Sequence, residues 1–299
     1  METDQAQPVK AALWMLGAIA SFSFMAVAGR TVQVELASYE LMFWRSLLGM
    51  IIVLAIIRWR TGTFATIRTR HWSLHLTRNV FHFFGQNMWF YGITVIPLSQ
   101  LVALEFTMPI WVLLLAPLFL GETLTPRKIM VGLLGFIGVL IVAQPGVQPI
   151  SAGHLAGILA AIAFAINLIF TRKIMRHDAV LCVLFWMTAS QMVMGAGLSL
   201  GLGFTWPSLE IVPWLIVLAI TGLTAHYSLT SALGLAPAMM VAPMEFARLP
   251  IISMVGVFVY AEVLDPAVFI GAAVIFAANF WNMRASQRAA SRTTGSPLG

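Results

Sequence analysis

Apolar runs of spanning length recur along the whole chain, at residues 11–29, 39–57, 74–95, 98–120, 128–144, 153–171, 180–202, 212–234, 238–260 and 266–284. A helix needs about 20 mostly apolar residues to cross a hydrocarbon core of roughly 30 Å, so each run predicts one transmembrane helix. The breaks between runs are charged or turn-forming: 58–71, 121–128, 144–153 with its Pro145-Gly146 pair, 172–178, and the corners at Pro97 and Pro237. The pattern predicts an all-α membrane protein of ten spans joined by short links.

Composition sharpens this picture. Of 299 residues, 60% are hydrophobic and 9% charged, with a mean hydropathy of +0.91, whereas a soluble domain is about one-quarter charged. No soluble fold hides that much apolar surface, and little chain remains for a separate soluble domain. Residues 1–10 are short and polar, and no cleavage-like site follows the first run, which therefore reads as a retained span and not a signal peptide. The lone cysteine, Cys182, excludes a disulfide framework and a cysteine-based metal site. No cofactor is expected.

A net charge of +6 and a pI near 10.1 would suit a nucleic-acid partner, but the basic residues sit at the ends of the apolar runs. With the N-terminus inside, Lys10, Arg58, Arg60, Arg68, Arg70, Arg127, Lys128, Arg172, Lys173, Arg176, Arg284, Arg288 and Arg292 all fall on one face, against Arg30 on the other. That bias places both termini in the cytoplasm of a bacterial-type inner membrane. Trp59 and Trp72 flank an inner loop, and Trp206 and Trp214 an outer one, as headgroup-level indoles should.

Sliding the chain against itself by 140 residues pairs Pro97 with Pro237, Glu105 with Glu245, Phe106 with Phe246, Glu122 with Glu262, Leu124 with Leu264, Pro126 with Pro266 and Phe136 with Phe276. Four of only eight glutamates match at one offset, so the duplication is not a by-product of apolar composition. The repeat unit is five spans, residues 1–148 and 149–299, and an odd number of spans inverts the second copy. Inverted repeats are a recurring design of secondary carriers, with the substrate site near the midplane between halves.

The chain also resembles the EamA-type carriers of the drug/metabolite transporter superfamily along nearly its whole length. The likeness rests on the ten spans, the two repeats, residues 97–105 (PLSQLVALE), residues 121–126 (GETLTP) and their echo at 261–266 (AEVLDP). Ala261 departs from the glycine at Gly121, and Pro109 falls one position out of register with Pro250. The resemblance implies a central cavity lined by spans one to four and six to nine, spans five and ten set aside, and export of amino acids or other small metabolites.

Ionisable groups at membrane depth cost about 2.5 to 3.5 kcal/mol each and must face protein or water. The reading finds four, Arg45, Glu105, Glu245 and Arg248, as candidates for charge or proton coupling and cargo contact. Glu245 and Arg248 are three apart on one helix and are expected to pair, leaving Glu105 to Arg45. A purely structural ion pair is the plainer reading of such a couple. Asn79, His82 and Gln86 form a polar stripe, and Gln86 meets His226 at the 140 offset, next to Tyr227, Thr230 and Ser231. Such groups act either as interhelical glue or as a cavity lining. Asn167 of span six joins them as a candidate.

Trp44, Trp89, Trp111 and Trp186 lie at mid-depth, as packing or as a flat wall for an amphipathic solute, and Met239, Met240 and Met244 suit an adaptable pocket. Pro109 and Pro250 are the expected hinges, with Pro117, Pro213 and Pro243 as further kinks. Gly197 and Gly201 form a G-x-x-x-G compatible with a homodimer contact.

Other function classes fare worse. No P-loop occurs, which excludes a pump of that kind. The three aspartates lie at span ends or tails, and no histidine spacing suits a metal, so neither an embedded metalloenzyme nor a metal site is expected. A channel would show pore-lining rings. The leading reading is an exporter of amino acids or similar amphipathic metabolites working by alternating access, with small solutes and the lipid bilayer as partners. The runner-up is an organophosphate or nucleotide-type anion carrier, which would want more buried cations than Arg45 and Arg248. The inversion predicts that cysteines introduced by Glu122→Cys and Glu262→Cys label with an impermeant maleimide from opposite faces of the membrane; labelling from one face removes the symmetry.

Overall fold

The computed structural model describes residues 7–121, 124–146, 149–235 and 244–294, and its regular elements are helices. They are α1 (Pro8–Val32), α2 (Ser38–Thr61), α3 (Trp72–Val95), α4 (Leu98–Glu105), α5 (Met108–Leu120), α6 (Pro126–Ala143), α7 (Ala152–Ile174), α8 (Val180–Leu202), α9 (Val212–Leu235), α10 (Arg248–Tyr260) and α11 (Pro266–Thr294), with a 3-10 turn at Ala65–Ile67. Among the described residues, eight helical segments are long and apolar enough to cross a membrane, α4 and α5 counting as one. The segments outside that eight are instructive. α3 has the length, but His75, Arg78, Asn79, His82, Gln86 and Asn87 are buried along it and lower its hydropathy. α10 is only 13 residues long, and Met239, Met240 and Pro243 lie outside the described residues.

Where a single fourth span was expected, the helix is broken between Glu105 and Met108, and a matching break separates Glu245 from Arg248. The physical cause lies just beyond each gap. Pro109 and Pro250 offer no N–H to the carbonyl four residues earlier, and each proline disfavours helical backbone in the residue before it. The chain answers with tight turns, Thr107 N–H donating to the Leu104 carbonyl and Ala247 N–H to that of Met244, both at 3.1 Å. The expected bend at Pro109 and Pro250 is therefore a full interruption slightly upstream, and the prolines begin the second half-helix.

Packing runs chiefly across the two halves. α1 lies along α9, α3 along α7, α2 along α8 and α6 along α11. A 140-residue shift carries α1 onto α7 and α3 onto α9, so the first two pairings are counterparts of one another. Between them sits the main apolar core, including Phe90, Ile93, Leu98, Leu101 and Leu104. Leu13, Leu16, Phe24, Leu118, Leu133, Phe136, Val193 and Phe258 are exposed on the outside, as a lipid-facing surface requires. The turn after α5 places Gly121 at φ 68°, and its offset mate Ala261 takes the same left-handed shape at φ 53°, at a cost of roughly 1–2 kcal/mol for a residue with a Cβ. The geometry of the turn outlasts the loss of the glycine.

α6 and α11 cross at Gly138 and Gly271, where a Cβ on Gly271 would come within 2.7 Å of the Gly138 carbonyl oxygen. Backbone cannot yield as a side-chain tip can. At Gly197 and Gly201, by contrast, nothing among the described residues beyond the local helix backbone lies within 4 Å of an added Cβ. Gly271→Val should therefore destabilise the purified protein by about 1–3 kcal/mol, seen as a lowered unfolding midpoint in detergent, while Gly197→Val leaves the midpoint unchanged.

Candidate functional site

Four helices, α2, α3, α8 and α9, bring a polar network to the seam between the halves. Arg45 on α2 is buried, and its guanidinium donates to the side-chain oxygens of Gln86 on α3 and of Gln191 on α8, the latter at 2.8 Å. The Gln191 amide nitrogen meets His82 Nδ1 at 2.7 Å, and the His82 ring stands edge-on to His226 with centroids 5.3 Å apart. A cavity with room for about one water is lined by Arg45, Ser46, Gly49, Thr188, Gly222 and His226 together with the apolar Met187, Ala219 and Leu223. The offset mates Gln86 and His226 thus contribute to one network. Phe22 and Phe164 give it flat walls, against His226 at 5.8 Å and His82 at 6.1 Å.

The stripe on α3 extends further than the sequence reading drew it. Arg78, overlooked there as a charge at depth, is buried, donating from Nε to Thr171 Oγ1 at 3.1 Å and from Nη1 to Asn79 Oδ1 at 2.9 Å. Asn79 in turn donates to the Trp186 carbonyl and to Ser190 Oγ, both at 2.9 Å. Thr171 donates to Asn167 at 3.4 Å, and the buried Asn167 Nδ2 and His226 Nε2 have no hydrogen-bond partner among the described residues. Spacing was signal enough for Arg78, which stands four residues before His82 and eight before Gln86 on the same face. Gln191 and Ser190 had no comparable signal.

The charges at the helix breaks pair differently from expectation. Arg248 Nη2 lies 2.8 Å from Glu105 Oε1, and the other oxygen of Glu105 accepts from Trp89 Nε1 at 2.9 Å. The reading had given Arg248 to Glu245 and Arg45 to Glu105. The first pairing assumed an unbroken helix, and the gap after Glu245 removes the one-face geometry it needed; Arg45 is taken up by amides instead. Glu245 remains within electrostatic reach of Arg248 and Glu105. The Arg248 guanidinium also lies over the rings of Phe22 and Phe106, at 5.2 and 5.5 Å.

Both ends of the seam are tied. At one, Arg30 and Glu262 form an ion pair at 2.6 Å, and Glu262 also accepts from the Leu98 backbone at 3.0 Å. Beside it Glu35 accepts from the Ser208 backbone and Glu40 from that of Thr205, each at 2.6 Å. At the other end Asp178 accepts from Thr69 at 2.6 Å and meets His75 Nε2 at 2.8 Å. Burial pushes the Asp178 carboxyl upward, but these hydrogen bonds and the neighbouring His75 and His71 outweigh it and hold it below the usual carboxylate range. Cys182 brings a third metal-ligand type to this spot, with donor atoms of His75, Asp178 and Cys182 all within 4.8 Å, a grouping the sequence reading did not anticipate.

The remaining candidates lie off the centre. Trp44 joins Phe204 and Trp206 at the Glu40 end and donates to the Thr205 carbonyl at 3.4 Å. Trp186 sits at the Asp178 end, donating to the Ile67 carbonyl at 2.9 Å and packing on Trp72. Trp111 donates to Thr107 at 3.0 Å beside the α4–α5 break, and Tyr227 packs edge-on to Trp14.

An all-helical chain with many apolar spans, an internal polar seam and ties at both ends has the make-up of a membrane transporter, and relatives agree. The model of the EamA-like transporter family matches residues 9–144. A riboflavin transporter of Brucella anthropi is 33% identical over 248 residues, 81% of this chain and 86% of that protein. An S-adenosylmethionine uptake transporter of Rickettsia felis is 26% identical over 93% of this chain and 94% of its own. A riboflavin transporter of Rhizobium johnstonii is 28% identical over 96% and 95%. A crystal structure of a protein at 17% identity superposes with a TM-score of 0.65, covering 93% of this chain and 98% of that one, which shows a shared fold.

The chain belongs to the EamA-like transporter family. It is a multi-pass transporter of the bacterial inner membrane.

Removing one partner of a buried ion pair leaves the other charge uncompensated, at a cost of about 3–5 kcal/mol. Glu105→Gln and Arg248→Gln should each lower the yield of monodisperse protein on gel filtration more than the double substitution does; additive losses would show that the two side chains are not coupled.

Proposed function

We propose that the chain is a secondary carrier that moves a ring-bearing, amphipathic metabolite across the membrane by alternating access. In this reading it has ten spans, both termini in the cytoplasm, and two inverted five-helix halves at 1–148 and 149–299. The observation that carries the proposal is the Arg45–Gln86–Gln191–His82 network with His226, built from both halves and buried where each half meets the other. Polar groups that only hold helices together need no cavity beside them, whereas Arg45 and His226 of this network border one, and the rings of Phe22 and Phe164 pack on His226 and His82.

With both ends tied, the arrangement corresponds to an occluded state. Opening one side means parting Arg30 from Glu262 and Glu40 from Thr205; opening the other means parting Asp178 from Thr69 and His75. The breaks before Pro109 and Pro250 are the places where α5 and α10 turn against their first halves. Glu105, Arg248 and Glu245 set two carboxylates against one guanidinium at those breaks, so one carboxylate is in excess and suited to hold a coupling proton.

The substrates named for the relatives, riboflavin and S-adenosylmethionine, each combine a fused heteroaromatic ring with a polar chain, and this favours uptake of such solutes over amino-acid export. Counterflow with purified protein in liposomes decides the matter. Labelled riboflavin or S-adenosylmethionine should accumulate, saturably, in vesicles preloaded with the same unlabelled compound, and Gln191→Ala should slow it at least about tenfold. Accumulation of a labelled amino acid, with neither of these two moving, would restore the exporter reading.

A further inference from the structure

Every carboxylate among the described residues is engaged away from Arg45 and Arg78, or exposed. Glu105 holds Arg248, with Glu245 beside it. Glu262 holds Arg30, Glu35 and Glu40 accept from backbone at Ser208 and Thr205, Asp178 is bound by Thr69 and His75, and Asp265 accepts from Gln144. Glu210 is exposed on a loop. Arg45 and Arg78 are only 5% and 4% exposed, yet their guanidinium groups donate only to neutral partners: Gln86, Gln191 and the Met25 sulfur for Arg45, Thr171 and Asn79 for Arg78. His82 and His226 lie within electrostatic reach of both arginines and add no negative charge. A buried cation with only neutral partners is an unusual and costly thing to keep inside a membrane protein.

We infer that the missing negative charge arrives with the cargo: the seam takes a ring-bearing metabolite carrying a carboxylate or a phosphate, and Arg45 is the group that receives it. This rests on the carrier reading above and narrows its substrate class. Arg45 lines the pocket with His226, so an acidic group entering there meets a guanidinium whose other contacts are already fixed. Arg78 lies eight residues along α3 from Gln86, about 12 Å by helical rise, toward the Asp178 end. It marks a second station for the same charge as the carrier opens at that end. The flat part of the cargo lies against Phe22 and Phe164. Between the two chemistries named for relatives, a neutral flavin leaves Arg45 without a counter-charge, while an amino-acid carboxylate supplies one.

Two matched pairs of probes test this with the purified, intact protein. S-adenosylmethionine is set against its carboxamide, which replaces the carboxylate by a neutral amide and keeps the ammonium and sulfonium, and riboflavin 5′-phosphate against riboflavin; the first of each pair carries the acidic group and the second lacks it. A charge-assisted contact should make the acidic member of at least one pair bind about tenfold tighter or better, and the pair that responds tells carboxylate from phosphate. Arg45→Gln should abolish that preference, and Arg45→Lys should keep part of it. Members without the acidic group binding as tightly as those with it to the wild-type protein would overturn the inference.

A second arm needs no ligand. If the arginines await a charge, Arg45→Gln and Arg78→Gln leave the unfolding midpoint of the unloaded protein unchanged or raise it. If they are structural glue, the midpoint falls, and that result alone overturns the inference. Should no probe bind at all, the ring-metabolite reading fails, and the inference of an anion site is still decided by the midpoints.

Discussion

The structure turns on one requirement: a polar group placed inside a bilayer has no water to turn to, so it must find its partner within the protein. α3 carries that requirement most heavily. Its buried face holds His75, Arg78, Asn79, His82, Gln86 and Asn87, and the first four of these reach partners beyond residue 149. Asn79 is satisfied by α8, Arg78 by Thr171 of α7, and His82 by Gln191. Packing α3 against α7, and α1 against α9, is the arrangement that encloses these groups while turning leucine and phenylalanine outward. The interleaving of the halves follows from where the polar atoms are.

The same requirement shapes the helix breaks. An interrupted helix inside a membrane frees backbone groups, and these are tolerated only where the protein covers them. Thr107 and Ala247 close the gaps with tight turns, and the aromatic rings of Phe106 and Phe246 pack on each other, 4.2 Å between centroids, directly over the paired interruptions. Charge sits beside them, with Arg248 bridging to Glu105 on the opposite break. Backbone irregularity and buried charge therefore occur in one place, where a small change in either is felt by both.

Much of this was legible in the residues. Span positions followed from apolar runs, and the 140-residue offset paired Glu105 with Glu245 and Gln86 with His226, which do converge on two neighbouring clusters. What escaped had definite causes. The ion pairs were assigned as though spans four and nine were continuous, and the interruptions re-aim Arg248 across to Glu105. Arg78 was lost among the basic residues of a span end, although its spacing from His82 and Gln86 placed it on the buried face. Trp44 and Trp186 were placed at mid-depth from their distance along the helix, but tryptophan reaches far, and each indole N–H found a loop carbonyl near an end of the seam. Partners such as Gln191 are fixed by packing between distant segments, which no local pattern encodes.

The dependence of α3 on α7 bears on how the protein is made. Translation delivers α3 to the membrane before α7 and α8, so for that interval Arg78, Asn79 and His82 lack the partners that those two helices supply. Water at the lipid headgroups is the other partner open to such groups before α7 and α8 are in place. A chain ending before residue 152 would keep the Arg45–Gln86 and Arg78–Asn79 contacts but would leave Asn79 without Trp186 and Ser190, and His82 without Gln191.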